Sequence, residues 1–516
     1  MQSSLTKDKS KLTRTELVIL IVAAVVTITF VSTCSPLYPF NPWNDINCFF
    51  TMGRGILRGL VPYRDLFDHK GPVIYFVYAL AALISDKTFA GAWIIECAAA
   101  CLFAVFSWKT VKLLSEPSKY SIALMPLFLG VIYTCKMFNF GGNAEELFFP
   151  LITVVLYFAI KGIIKGDGLP ADKEAVICGV ITGTLFWVKY TFLGFVAGFC
   201  LYIFCLCIKR KDFKRLGGLI WRFLAGFLLI TIPVIIYFAA TGTLGYLWEV
   251  YFGINFSSYT GVKQASGLAQ IPVIKNIYLP VVYVVSSGIY YPGFGIPLLL
   301  TLSSMFFITK EHRKKTVFLF LMTFALAAGF IFTRPYGIYY YPYILCYGFG
   351  MGLIPLVKGI GKIEKAAKER SDLINVLLSG ILVVFYIVSI MLCKNMYLFL
   401  KPKDSLAQFR IAETINETPD AKILTYSVMD EGFYTAAGLL PANRFFGAGK
   451  NLEDTYPAIH EEQDRLISEG YYDYIITSVF CEKEWDNYVL VREEIDPNVD
   501  YTGEAILVGY RLYERA

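Results

Sequence analysis

The sequence predicts an α-helical polytopic membrane protein that ends in a small α/β domain. Of its 516 residues 56% are apolar, and the mean hydropathy of +0.55 is well above that of an ordinary soluble protein. Apolar runs of about twenty residues recur, and as helices such runs cross a hydrocarbon core of about 30 Å. The net charge is +6, but residues 401–516 hold 11 Lys and Arg against 22 Asp and Glu. A basic membrane part therefore precedes an acidic domain, and the positive charge suits cytoplasmic loops rather than nucleic acid.

About eleven membrane spans are predicted from the apolar runs. They lie at 16–34, 89–108, 120–137, 147–163, 174–188, 192–208, 219–239, 290–308, 316–333, 338–357 and 373–393. A further run at 72–85 begins with Pro72 and is too short to span comfortably. We expect this run to be re-entrant or half-inserted.

The distribution of basic residues supports this count through the positive-inside rule. Lysines and arginines are concentrated in every second loop, at 7–14, 109–119, 161–173, 209–215, 310–315 and 358–370. Treating 72–85 as a full span would break this alternation. We therefore predict a multi-pass protein of the cell membrane with a cytoplasmic N-terminus and an extracytoplasmic C-terminal domain.

The domain boundary is predicted at 394/395, after the last span. Residues 395–516 alternate helix-like stretches (405–416 and 460–470) with strand-like ones (421–426, 471–477 and 505–512). This pattern predicts a small acidic α/β domain behind the membrane domain of residues 1–394.

The loop at residues 41–72, after the first span, is unusually rich in titratable side chains. It holds Asp45, Arg54, Arg58, Arg64, Asp65, Asp68, His69 and Lys70. Loops on the outer side are usually poor in positive charge, so we predict that this loop is the lip of an active site, with Arg58 and Arg64 as candidate substrate contacts. Within the loop, 46–60 has helical periodicity and suits a helix lying in the membrane interface.

Three carboxylates are candidates for catalysis. Asp45 stands at the start of the predicted interfacial helix, where it is either a helix N-cap or a general base. Glu145 and Glu146 open a later span on the same side, and Asn143 with Glu146 also fits a capping box. Acids at the rim of a bundle are costly to desolvate, so they usually face a cavity or a partner.

Cations at the depth of the bilayer surface form a second group. His69 and Lys70 precede Gly71-Pro72, and Arg334 ends a span just before a tyrosine-rich run that includes Tyr339 and Tyr340. Such residues either snorkel and form an interfacial belt or bind a phosphate, because Arg and Lys are the usual phosphate ligands.

Together these segments resemble the GT-C superfamily of membrane glycosyltransferases. The common features are an acid in the first outer loop, the HKGP segment before an apolar run, and an acidic site that opens a later span. Within that superfamily they resemble the family-39-like enzymes, which are akin to protein O-mannosyltransferases and lipid A aminoarabinose transferases. The resemblance implies that Asp45 is the catalytic carboxylate, Glu145 or Glu146 the second acid, and Lys70 a contact of the lipid phosphate.

One segment late in the chain is also similar to these enzymes, and two short segments differ from them. Arg334 ahead of IYYYPYIL resembles the late Arg/Tyr–Pro segment of these enzymes. The paired Asp-Glu typical of O-mannosyltransferases is Asn44-Asp45 here, and the Lys-Pro-Pro of the family-39-like enzymes is Lys-Gly-Pro. Both departures argue against placing the chain in either named subfamily.

The function expected from this resemblance is sugar transfer, with inversion, from a polyprenyl-phosphate donor to an acceptor of the cell envelope. The partners would be this donor, the acceptor and membrane lipid, without nucleic acid. Three histidines exclude a His-rich metal centre, and a divalent cation held by Asp45 and Glu145 stays open. The alternatives are a polymerase or ligase of surface polysaccharides, a flippase or transporter of lipid-linked sugars, and a degenerate enzyme that carries a binding domain.

Overall fold

The computed structural model describes residues 10–255, 279–290, 292–331, 337–367, 370–447, 456–499 and 505–516. Helices make up the chain before the C-terminal domain. They are α1 (Arg14–Val31), α2 (Asn44–Leu57), α3 (Pro72–Ile84), α4 (Ala90–Leu114), α5 (Leu124–Tyr133), α6 (Ala144–Lys165), α7 (Asp172–Phe186), α8 (Leu193–Arg210), α9 (Phe213–Ala240), α10 (Leu244–Leu247), α11 (Leu279–Tyr290), α12 (Pro292–Ser304), α13 (Lys310–Ile331), α14 (Gly337–Gly350), α15 (Ile354–Ala367) and α16 (Ser371–Met391). A π-helix follows α10 at Trp248–Ile254, and short 3-10 helices lie at Ser121–Ala123, Lys136–Phe138, Tyr190–Phe192, Lys394–Leu398 and Lys403–Ser405.

Each predicted span overlaps one of these helices. Among the described residues, six helices are long and apolar enough to cross a membrane: α1, α4, α6, α8, α9 and α16. The other predicted spans overlap α5, α7, α12, α13 and α14, so eleven crossings remain a prediction. Helix α3 has only 13 residues, about 20 Å at 1.5 Å per residue, as expected for the run that was set aside. Helix α11 was not predicted.

The loops form two sets at opposite ends of the helical bundle. At one end Lys112 contacts Glu16 at 2.7 Å and Arg210 contacts Asp167 at 3.3 Å, and each contact joins two segments that were predicted to be basic. At the other end the amide of Thr33 donates to the carbonyl of Phe140 at 2.8 Å. These contacts agree with the grouping that the charge alternation predicts, and the assignment of the basic set to the cytoplasm remains a prediction.

Helix α2 lies inside the protein rather than at the membrane interface. Every residue from 46 to 55 is buried. One face packs so closely on α3 that a Cβ at Gly53 would be 2.5 Å from the carbonyl carbon of Tyr78. The expectation of an interfacial helix was wrong because the C-terminal domain covers the polar face of α2.

The C-terminal domain contains a four-stranded sheet of order β1-β2-β4-β3. Its strands are β1 (Ile423–Thr425), β2 (Tyr474–Ser478), β3 (Tyr488–Val499) and β4 (Ala505–Arg515), and its helices are α17 (Ala407–Ile415), α18 (Phe433–Ala436) and α19 (Ala458–Ser468). Strands β1 and β2 are parallel and the other pairs antiparallel. The predicted helices and strands are confirmed. Strand β3 was missed because it is a charged edge strand, which lacks the apolar alternation of a buried one.

The C-terminal domain rests on the first outer loop through aromatic and polar contacts. The rings of Phe40 and Phe409 meet edge to face at 5.3 Å, and Arg54 donates to the carbonyl of Tyr434 at 3.1 Å. The amide of Phe67 donates to the carbonyl of Arg444 at 2.9 Å. The domain thus forms a roof over the loop that carries Asp45 and Lys70.

Candidate functional site

The segment around Lys70 is held against the end of α7. The amide of Gly71 donates to the carbonyl of Val188 at 3.1 Å, and that of Val73 donates to Trp187 at 3.0 Å. A Cβ at position 71 would stand 2.1 Å from the carbonyl oxygen of Trp187. Only glycine permits this approach, which brings Lys70 to the segment that carries Lys189.

Lys189 forms an ion pair with Glu145, which is buried at the start of α6. The charge of Lys70 also acts on the Glu145 carboxylate. The structure therefore places the predicted acid beside two cations, of which Lys189 was missed. The signal was available, because a lone lysine on the side that is poor in positive charge is unusual.

Helix α6 begins where the sequence predicts, with Asn143 as its N-cap. The Asn143 side chain accepts from the amide of Glu146 at 2.8 Å. The Glu146 carboxylate accepts instead from the amide of Gly142 at 2.9 Å, and the same amide donates to Glu96 at 2.6 Å. Glu146 thus belongs to a buried carboxyl pair that pins the loop before α6, rather than to the group around Lys70.

Glu96 is a residue that the sequence analysis missed. Its two carboxylate oxygens accept from the Ser32 hydroxyl at 2.9 and 2.8 Å, which ties α4 to the end of α1. A single acid inside the apolar run 89–108 was the available signal, because ionisable groups inside a membrane bundle are rare and have partners.

Asp45 lies in the first turn of α2 with its side chain half-buried. The N-cap of this helix is Trp43, without a side-chain cap bond, and Asn44 accepts from the amide of Asp45 at 2.8 Å. Within the described part of the chain the Asp45 carboxylate has no hydrogen bond or ion pair, but its charge acts on His69 and Cys48. The structure therefore excludes the helix-cap interpretation and leaves this carboxylate available for a ligand.

His69 lies between Asp68 and Lys70. Its Nδ1 is 3.2 Å from Oδ1 of Asp68, and its Nε2 is 3.2 Å from Nζ of Lys70. Burial lowers the pKa of His69, and the Lys70 charge lowers it further against the opposing effect of Asp68. The predicted phosphate contact through His69 is thus not what the geometry supports, because both ring nitrogens face neighbouring side chains.

Asp68 is an ionised carboxylate in a buried position. Burial by itself would raise its pKa, but hydrogen bonds from His69 and Tyr75 and the charge of Lys70 lower the pKa to about 2. The Tyr75 hydroxyl donates to Oδ2 at 2.8 Å. Asp68 therefore supplies a fixed negative charge behind His69.

Two further candidates lie on the surface in local pairs. Arg58 is 3.4 Å from Asp86, and Arg64 is 2.7 Å from its neighbour Asp65, with all four side chains at least a quarter exposed. The structure does not bring either arginine to the group around Lys70. Arg334 lies outside the described residues, and so do the side chains of Tyr339 and Tyr340 on α14.

The roof adds two acidic residues that the sequence analysis did not single out. Thr51 of α2 donates to Asp430 at 2.5 Å, and burial raises the pKa of Asp430 to about 6. Burial and the charge of Asp430 raise the pKa of the adjacent Glu431 to about 7. Both residues face α2, so two acidic side chains of the C-terminal domain lie beside the helix that carries Asp45.

A divalent cation finds few donors in this arrangement. The described part of the chain contains no group of three or more His, Cys, Asp or Glu side chains that could hold a metal ion. Of the two predicted ligands, Glu145 is already neutralised by Lys189. We therefore derive no step through a metal.

The fold has counterparts among solved structures. ArnT from Cupriavidus metallidurans, bound to undecaprenyl phosphate, matches with a TM-score of 0.52 at 11% identity over 96% of this chain and 98% of that one. ArnT in the apo state gives 0.53 at 11% identity over 96% and 97%. ArnT is a GT-C enzyme.

The chain has an ArnT-like fold.

This similarity in fold extends along nearly the whole length of the chain. The apo oligosaccharyltransferase of Archaeoglobus fulgidus gives a TM-score of 0.33 at 11% identity over 90% of this chain and 69% of that one. No protein-family model and no curated protein sequence matches the chain.

Proposed function

We propose that this GT-C chain is a membrane glycosyltransferase that moves a sugar from a polyprenyl-phosphate donor to an extracytoplasmic acceptor of the cell envelope. The observation that carries the proposal is the half-buried Asp45 carboxylate, which has no partner among the described residues and stands beside the segment of Lys70. The fold supports the class of reaction. The undecaprenyl phosphate bound to ArnT supports the lipid donor.

In this proposal Asp45 is the general base for the acceptor hydroxyl. It accepts the hydroxyl proton as the acceptor oxygen forms a bond to the anomeric carbon of the sugar. The bond from that carbon to the phosphate oxygen breaks in the same step, so the configuration inverts and no sugar is attached to the enzyme. The polyprenyl phosphate leaves with the electron pair of the broken bond.

Lys70 and Lys189 stabilise the negative charge that develops on the departing phosphate. Lysine ammonium groups are common phosphate ligands. Glu145 holds Lys189 in place through their ion pair. The pair of cations replaces the predicted contact through His69.

A nucleotide sugar is a poorer candidate for the donor. A nucleotide-binding site usually has a Gly-rich loop between a strand and a helix, so that the helix N-terminus contacts the phosphates. Among the described residues, the first strand is β1 at Ile423–Thr425, beyond the membrane part. A lipid-linked donor needs no such seat, because its tail lies in the bilayer.

Two alternatives differ in product or mechanism. A polysaccharide polymerase or ligase would use the same class of donor but transfer a chain of sugars. A flippase or transporter would place its polar site near the membrane midplane, between repeated halves. The group of Asp45, Lys70, Glu145 and Lys189 instead joins loops and helix ends on one side of the bundle.

The test is turnover by the purified full-length protein with a panel of polyprenyl-phosphate sugars and hydroxyl acceptors in detergent. We expect transfer of a single sugar by the wild type and none by Asp45→Asn. Asp86→Asn is the matched control, since Asp86 is an exposed acid near the same end of the bundle. Transfer from a nucleotide sugar without any polyprenyl phosphate would contradict the proposed donor, and equal turnover by Asp45→Asn would contradict the proposed base.

A further inference from the structure

We propose that Asp68, His69 and Lys70 form a carboxylate–imidazole–ammonium chain in which His69 is a positioning residue for the Lys70 ammonium. The inference deepens the proposed function and rests on it, since Lys70 is there the contact of the donor phosphate. Three consecutive side chains then act as one unit, with a single member that contacts substrate.

The three side chains stand in contact in order, through an electrostatic contact between Asp68 and His69 and a hydrogen bond between His69 and Lys70. Oδ1 of Asp68 is 3.2 Å from Nδ1 of His69, and Nε2 of His69 is 3.2 Å from Nζ of Lys70. Asp68 is itself fixed, because its Oδ2 accepts from Tyr75 at 2.8 Å and its Oδ1 from the amide of His69 at 2.8 Å. Asp68 and His69 are buried, at 5% and 4% exposure.

The chemistry of the two ends determines the tautomer of the histidine. An ionised carboxylate only accepts hydrogen bonds, and an ammonium group only donates them. A neutral imidazole whose Nε2 accepts from the Lys70 ammonium must carry its proton on Nδ1, the atom that faces the Asp68 carboxylate. The lowered pKa of His69 supports this neutral form.

The backbone of the segment is held independently of the three side chains. Asn255 donates to the carbonyl of His69 at 2.6 Å, and Tyr63 donates to the carbonyl of Lys70 at 2.6 Å. Because the backbone is held, the position of the ammonium depends on the conformation of the long Lys70 side chain. A lysine has four flexible carbons and a rotatable charge, so an acceptor at a defined place selects one orientation of the ammonium before the donor arrives.

The experiment compares two amides that imitate opposite ends of the imidazole. His69→Gln places an acceptor oxygen near the position of Nε2, whereas His69→Asn places an amide near the position of Nδ1 and cannot reach Lys70. We expect the dissociation constant for undecaprenyl phosphate in detergent micelles to rise about three- to tenfold in His69→Asn and to stay within about twofold of the wild type in His69→Gln. His312→Gln is the control, at the basic end of the bundle.

A second measurement does not depend on a donor. Loss of the acceptor at Nε2 makes the ammonium of Lys70 easier to deprotonate, and the free amine is the form that acetic anhydride modifies. Mass spectrometry of Lys70 should therefore show faster acetylation in His69→Asn than in the wild type or His69→Gln. Equal acetylation rates in all three proteins would overturn the positioning role.

The two measurements separate this inference from the proposed function. A wild-type protein that neither binds undecaprenyl phosphate nor transfers sugar counts against the proposed function. The acetylation rates would still test whether His69 positions Lys70. Binding that is weakened equally in His69→Gln and His69→Asn would show a steric role of the ring, and would overturn the chain while leaving the function intact.

Discussion

Thr51 in the first outer loop donates a hydrogen bond of 2.5 Å to Asp430 of the C-terminal domain, 379 residues away in sequence. The amide of Gly432 donates to the other carboxylate oxygen at 2.8 Å. Asp430 is nearly inaccessible, with 1% exposure. One buried acid thus joins the C-terminal domain to the helix that carries Asp45.

Low pH should stabilise the contact between the C-terminal domain and the loop at residues 41–72. Burial raises the pKa of Asp430 to about 6, while an unfolded Asp titrates near 3.9. Between pH 4 and 6 Asp430 is therefore protonated in the folded state and ionised in the unfolded state. Its contribution to the free energy of unfolding is largest below about pH 4, declines as the pH rises to about 6, and is absent above that pH. The full span is worth roughly 3 kcal/mol. Asp430→Asn imitates the protonated form.

The measurement is the thermal unfolding midpoint of purified wild type and Asp430→Asn between pH 4 and 8. We expect the variant to gain on the wild type as the pH rises from 4 to about 7, and to keep a constant advantage above that. Asp68 titrates in both proteins, so its effect cancels in the difference. Glu431 adds to the gain of the variant, because Asp430→Asn removes the charge that helps to raise the pKa of Glu431. Two parallel curves would show that Asp430 does not titrate as described.

Asp45→Asn should abolish turnover without loss of stability. The carboxylate has no hydrogen bond or ion pair among the described residues, so the amide sacrifices no contact there. Removal of a general base typically costs about 10²–10⁴-fold in rate. Kinetics with a lipid-linked donor and thermal unfolding of the same preparation check both parts. A lower unfolding midpoint would indicate a structural role for this side chain.

Lys70→Ala should weaken the use of the donor. A charge-assisted hydrogen bond is worth about 1.5–3 kcal/mol, which corresponds to about ten- to a hundredfold in affinity or efficiency. Lys70→Arg should retain part of the effect, because the charge remains while its geometry changes. Steady-state kinetics at varied donor concentration measure the change, and an alanine variant with wild-type constants would remove Lys70 from the site.

The two glutamates of α6 should respond differently. Glu145→Gln leaves Lys189 without its carboxylate, and loss of one partner of a buried pair costs about 3–5 kcal/mol. Glu146→Gln keeps an oxygen that accepts from Gly142 and should be milder. The double change Glu145→Gln with Lys189→Gln should recover stability but not turnover, as measured by unfolding and by sugar transfer. Equal loss in both single variants would contradict the separation of the two roles.

The C-terminal domain should be accessible from outside the cell. Cys481 is the cysteine of this domain and is half-buried, so a variant that keeps this one cysteine provides a native probe. A membrane-impermeant thiol reagent should label it in intact cells. Labelling that requires permeabilisation would reverse the predicted orientation.

Much of the helical framework was predictable because its signals are local. Each span that was predicted from an apolar run overlaps a helix of the structure. The basic residues indicated which loops lie at the same end of the bundle. The cap of α6 was also predictable, since Asn143 and the amide of Glu146 are three residues apart. Lys189 and Glu96 were visible as unusual charges, but a single sequence does not indicate which partner each one has.

The sequence by itself determined which segments form apolar helices, that an acidic segment follows them, and that Asp45 and Lys70 belong to one loop. Only the tertiary structure decided that Glu145 meets Lys189, that Glu146 turns to Glu96, that His69 lies behind Lys70, and that the C-terminal domain covers α2. The physical reason is the separation along the chain over which each interaction acts. Hydropathy and charge act on each segment separately, through its free energy in lipid or water. An ion pair or a buried hydrogen bond forms only after packing has brought two distant segments within about 3 Å of each other.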